Sequence, residues 1–198
     1  MTATAAGTVR RGLALSALAV IVALGLALGS PFGSEPAGAA SRSLLAGAGA
    51  CTGADDPSAS EGVQRKAIVC LVNLARQQVD RTTLSTPPKL RRAAAIKGRV
   101  VVSCGQLSHT PCGAEPTAAL RAAGYRYAWF GENLWLGTWA SFSARQVVET
   151  WLGSPGHRAN ILRPSFRHFG VDRVRAEGVF GEPSTAVWVA TFASPRSS

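Results

Sequence analysis

The chain has 198 residues, 46% of them hydrophobic, and carries 21 Lys+Arg against 11 Asp+Glu for a formal net charge of +10. That length gives room for one sizeable core and a tail. The cationic excess favours anionic surfaces such as lipid headgroups or cell-wall polymers, and with no RNA- or DNA-binding motif nucleic acid is not expected as a partner.

The first forty residues stand apart from any core. Arg10 and Arg11 precede an uncharged Leu-, Ala- and Val-rich stretch, residues 13–28, followed by Pro31, Gly33, Pro36 and the small-residue run Ala37-Gly38-Ala39-Ala40. This is the pattern of a secretory signal peptide over residues 1–40, cleaved near Ala39 or Ala40. The apolar stretch is shorter than the ~20 residues of a spanning helix. An uncleaved anchor is the alternative, since no charge occurs between Arg11 and Glu35.

Four cysteines follow the signal, which fits an exported chain with two disulfides. Three pairings are possible. The short loop that Cys104 and Cys112 would close around His109 favours that pair, leaving Cys51 to Cys70. Zinc held by thiolates is the competing idea, but no C-x-x-C pair occurs.

Residues 41–57 show no periodicity and predict a linker, poorly ordered up to Cys51. Ser58-x-x-Glu61 resembles a capping box that opens a first helix, with Ile68, Leu71, Val72, Ala75 and Val79 on its apolar face. Arg76 and Asp80, at i and i+4, predict a surface ion pair. Pro87-Pro88 starts a second helix with Leu90, Ala94 and Val101 inward and Lys89, Arg91, Arg92 and Arg99 outward, ending near Ser103. Thr117 to Ala123 predicts a short helix closed by Gly124. Glu132, flanked by Gly131 and Asn133 between aromatic runs, is badly placed for a solvated charge and should meet a histidine, an arginine or a metal.

Ala144, Val147, Val148 and Trp151 mark the apolar face of a buried helix, which Gly153 should end in left-handed geometry. Ser154 and Pro155 then predict the N-cap and first turn of a short helix that stops before Pro164. His157 falls in its first turn, where the helix dipole favours neutral imidazole. Phe169-Gly170-Val171 and Ala186 to Ala193 predict strands. In the second, Trp188, Ala190 and Phe192 share one face and Val187, Val189 and Thr191 the other, so helices should cover both sides of the sheet.

In order along the chain, Cys-x-x-x-Leu-Ser-His-Thr, Gly-Glu-Asn-Leu, Trp-x-x-Ser-Pro-Gly-His-Arg-x-Asn-Ile-Leu and Phe-x-x-Phe-Gly-Val precede a final apolar strand. This set resembles the CAP superfamily of cysteine-rich secretory, antigen 5 and pathogenesis-related proteins, in its bacterial secreted branch. The resemblance implies an α+β fold, a three-layer α-β-α sandwich with a small, mainly antiparallel central sheet, spanning residues 58–195. It also implies a cleft lined by two histidines and two glutamates that can hold a divalent metal. His109, Glu132 and His157 match three of these; Ser154 stands where the second glutamate usually is. Glu149, the nearest acidic residue, is spaced to pair with Arg145. His168 matches nothing in the motif and is expected in a loop.

Two imidazoles and a carboxylate with an open position suit zinc. The expected protein is therefore a secreted monomeric binding module whose cleft holds a divalent metal and a small or lipidic ligand, as sterol and lipid binding in eukaryotic members suggests. The alternative is a metal-dependent hydrolase, a peptidase with Glu132 as general base beside His109 and His157. A Ser–His–Asp reading lacks a nucleophile-elbow motif.

Overall fold

The computed structural model describes residues 44–196, so the signal peptide or anchor expected over residues 1–40 lies outside the described residues. The first helix, α1 (Glu61–Gln77), starts at an N-cap that is Ser60 and not Ser58. The Ser60 hydroxyl accepts from the Val63 amide, whereas Ser58 is turned back onto the Asp56 carboxylate by its own amide and hydroxyl. The stripe of Ile68, Leu71, Val72 and Ala75 is fully buried.

Arg76 is buried with that stripe, which corrects the surface ion pair with Asp80. It follows Val72 by four residues, so the helix carries its guanidinium inward. There it donates to the carbonyls of Thr82 at 2.8 Å, Ile161 at 2.6 Å, Arg163 at 3.1 Å and Phe166 at 3.4 Å. Burial, with the charges of Arg167 and Arg81 behind it, lowers its pKa to about 10.

The second helix, α2 (Pro88–Cys104), begins behind Pro87 as expected and ends on Gly105 at φ 60°. A short α3 (Ala118–Ala122) leads to β1 (Tyr127–Thr138), then α4 (Ala144–Gly153), α5 (Pro155–Leu162), β2 (His168–Glu177) and β3 (Ser184–Pro195). A Ser143–Gln146 capping box opens α4. The corner between α4 and α5 is tight, but no left-handed glycine makes it. Gly153 is the last residue of α4, and Ser154, extended at φ −92° and ψ 123°, closes one helix and opens the next.

The three strands lie in the order β1-β3-β2 and are antiparallel throughout. Central β3 is apolar on both faces. Trp188, Ala190 and Phe192 join the core built with α1, α4 and α5, while Val187 and Val189 meet Ala94 and Val101 of α2. The result is the α-β-α sandwich. On the α2 side the layers touch at backbone distance: a Cβ on Gly170 would stand 2.2 Å from the Leu90 carbonyl carbon.

Residues 44–57 are aperiodic yet held against the core. Leu44, Leu45 and Ala46 lean on it, Ala54 is fully buried, and Arg145 of α4 grips the Asp55 carboxylate and the carbonyls of Ala46 and Gly47. The disulfides are Cys51–Cys70 and Cys104–Cys112, the expected pairs.

Arg76→Met should leave the carbonyls at the end of α5 without their donor and cost more than about 3 kcal/mol. Urea denaturation should show this as a lower midpoint at unchanged slope.

Candidate functional site

Glu132 lies on edge strand β1, opposite Thr191 of β3. Cross-strand partners share a face, so its carboxylate points to the α2 side of the sheet. The residue is 7% exposed, and an unpaired charge there would be costly. Two groups answer it. His109 Nδ1 donates to Oε1 at 2.8 Å, and the ammonium of Lys97 on α2 stands 3.4 Å from the same oxygen. Lys97 also donates to the His109 carbonyl.

His109 sits in the loop stapled by Cys104–Cys112. Gln106 Oε1 accepts from the Cys112 amide, the Ser108 hydroxyl accepts from the Thr110 amide, and a 3-10 turn over Pro111–Gly113 closes the loop. Because the carboxylate can only accept, the proton of neutral His109 is on Nδ1. Nε2 is left as an acceptor on a side chain that is 57% exposed. That tautomer can take a proton from a ligand or donate a lone pair to a cation.

His157 is in the first turn of α5, as expected. Asn133 Nδ2 donates to its carbonyl at 3.1 Å, and Asn160 Nδ2 donates to the Glu132 carbonyl at 3.1 Å and to Asn133 Oδ1 at 2.9 Å. These amides tie α5 to β1 at Glu132 and Asn133. Gly131 makes room for them, since a Cβ there would meet Asn160 Oδ1 at 2.7 Å and the Phe166 ring at 2.9 Å. His157 Nδ1 is buried and has no hydrogen-bond partner within the described residues. Burial first, and the charge of His109 second, lower the His157 pKa below 6.5. The ring is therefore neutral near pH 7.

The remaining sequence candidates lie elsewhere. Ser154 occupies the α4–α5 corner, where its carbonyl accepts from the Arg158 amide and its side chain makes no cap bond. Glu149 is on the exposed face of α4. His168 opens β2 instead of lying in a loop, and its Nδ1 shares a 2.6 Å hydrogen bond with the Tyr125 hydroxyl. Lys97, Asn133 and Asn160 were not anticipated. Lys97 had a signal in the sequence: three residues after Ala94 and four before Val101, it interrupts the apolar stripe of α2.

As arranged, the donors do not fit a resident divalent cation. Among the described residues no three His, Cys, Asp or Glu side chains are grouped to hold one. Glu132 Oε1 already serves His109 and Lys97, so its charge is answered within the fold.

With the folded pKa of His157 depressed, the unfolded chain takes up that proton first as pH falls. The stabilising contribution is complete above pH ~6.5 and is lost as pH falls from there through the folded value. NMR titration of the ring should give a midpoint below that of free histidine, and His109→Ala should move it upward.

The family model described as "CAP: Cysteine-rich secretory protein family" matches residues 69–192. The protein YkwD of Bacillus subtilis, described as uncharacterized, is 30% identical over 125 residues, covering 63% of this chain and 47% of YkwD. An extracellular protein containing an SCP domain from Bacillus anthracis has a similar structure, with TM-score 0.57 and 18% identity over 68% of this chain and 41% of that one. An outer surface protein of Borrelia burgdorferi aligns with TM-score 0.58 and 17% identity over 70% of this chain and 97% of that one. A cysteine-rich secretory protein of Staphylococcus aureus aligns with TM-score 0.54 and 16% identity over 70% and 40%. The chain thus spans about half the length of its curated relative, and at these identities the structures speak for the fold alone. With the family match covering most of the described residues and the same sandwich in the solved structures, the chain belongs to the CAP, or cysteine-rich secretory protein, family.

Proposed function

We propose that this protein is an extracellular binding module whose cleft, lined by His109, Glu132 and His157, takes a small or lipidic ligand. The observation that carries the reading is His157 Nδ1, buried and unpartnered within the described residues, with the half-exposed His109, hydrogen-bonded to buried Glu132, coupled to it electrostatically. A buried polar atom without a partner costs roughly 1–3 kcal/mol, and a ligand group can return that bond. Polar groups held in place by a fold but left unmatched by it are what a binding site offers.

An oxidising, extracellular location is supported by four cysteines all joined in disulfides, and by relatives described as extracellular or outer-surface proteins. No helix among the described residues is long and apolar enough to cross a membrane. The cationic excess of the chain would favour an anionic cell-envelope surface as its neighbour. Zinc enters this proposal as a weak, displaceable occupant reached through the imidazoles. The peptidase alternative has less support, because the carboxylate it needs as general base is already engaged by His109 and Lys97.

Solvent extraction and mass spectrometry of the purified protein should recover a small molecule that is absent from His157→Ala and reduced in Glu132→Gln. Turnover of peptide or ester substrates that disappears in Glu132→Gln would instead establish the hydrolase.

A further inference from the structure

Lys97 is the one charged group of the cleft that the expected ligand set does not use. It lies in the middle of the buried stripe of α2, where an ammonium is costly unless paired. Its side chain is 4% exposed, as is that of Glu132, and the two stand 3.4 Å apart. Its bond to the His109 carbonyl links the stapled loop to the carboxylate. Glu132 is the one buried carboxylate among the described residues, and position 154 adds none. One buried negative charge therefore faces one buried positive charge, and the cluster is neutral without an ion from solvent.

We propose that Lys97 is the resident cation of this cleft, filling the charge-balancing role beside Glu132 and so weakening the hold of the cleft on a divalent metal. The inference rests on the reading that His109, Glu132 and His157 share one cleft. A divalent ion coordinated by Glu132 would meet the ammonium within a few ångströms and be repelled by it. An uncharged residue at position 97 leaves the carboxylate unbalanced beside two imidazoles, a donor set that attracts zinc.

Calorimetric titration of the full chain with zinc chloride alone, at about pH 7.5 where imidazole ligands are neutral, tests this. Wild type should bind weakly, and Lys97→Met at least about tenfold more tightly, the effect of one unit charge near a divalent ion even under water-like screening. Lys97→Arg keeps the charge and should stay at the wild-type affinity. The gain should vanish in Lys97→Met combined with His157→Ala. Circular dichroism checks the fold; if Lys97→Met does not fold, Lys97→Gln, which retains a donor for the His109 carbonyl, replaces it. Equal affinity in wild type and the uncharged variant, or an equal gain in Lys97→Arg, overturns the role of Lys97. A gain that survives His157→Ala overturns the shared-cleft reading beneath it.

Discussion

The buried guanidinium of Arg76 is the constraint on which the arrangement of α5 depends. It lies within the apolar core with no carboxylate of the described residues bonded to it, and its charge is answered by carbonyl oxygens. Three of them, from Ile161, Arg163 and Phe166, belong to the last turn of α5 and the segment leaving it. A helix C-terminus offers unpaired carbonyls and the negative end of the dipole, which is what a cation without a counter-ion needs. Arg81 adds a bond to the Leu162 carbonyl from the surface. A guanidinium answered this way fixes both where α5 ends and how far the following loop can stray.

From that fixed end the constraint passes to the cleft through short polar bonds. Asn160, one residue before the Arg76-bound Ile161 carbonyl, holds the Glu132 carbonyl and the Asn133 side chain; Asn133 in turn holds the His157 carbonyl. Trp151 Nε1 donates to the Leu134 carbonyl and brings the end of α4 onto the same strand. The main chains carrying Glu132 and His157 are thus tied to each other through the Asn133 and Asn160 side chains. His109 reaches the same place from the other layer, on a loop held by a disulfide and by Lys97. Edge strand β1 is where the His109 ring from one layer and the His157 main chain from the other are both held.

Much of this was legible in the sequence because apolar spacing reports packing directly. The faces of α4 and β3, the proline start of α2, the Ser154–Pro155 start of α5 and both disulfides follow from local rules that the tertiary structure leaves intact. Strand β1 was not legible as a strand, since Gly131 to Trp135 are all buried and no alternation survives. The segment before α1 lacked periodicity because its place is set by Arg145, Asp55 and a disulfide instead of an amphipathic face. At Ser58 and Gly153 a residue suited to a cap lay beside the position that the chain uses. Glu132 was legible as a charge that needs a histidine, an arginine or a metal, and it meets His109; grouping His109, Glu132 and His157 took the family motifs, because their shared surroundings depend on contacts between distant segments.

The two cations that sequence reasoning misplaced or passed over share one signature: each interrupts an apolar stripe at helical spacing. Arg76 follows Val72 by four residues in α1, and Lys97 lies between Ala94 and Val101 in α2. What answers each charge separates their roles. Carbonyl oxygens at a helix end are fixed dipoles that cannot leave or change charge, so Arg76 is saturated by the fold and can act only on its geometry. Lys97 is answered by a carboxylate that also binds an exposed histidine, so its partner can be drawn away by whatever enters from that side. A buried cation held by main chain marks architecture. One held by a carboxylate that also binds an exposed histidine is answered by a partner that can change charge or move.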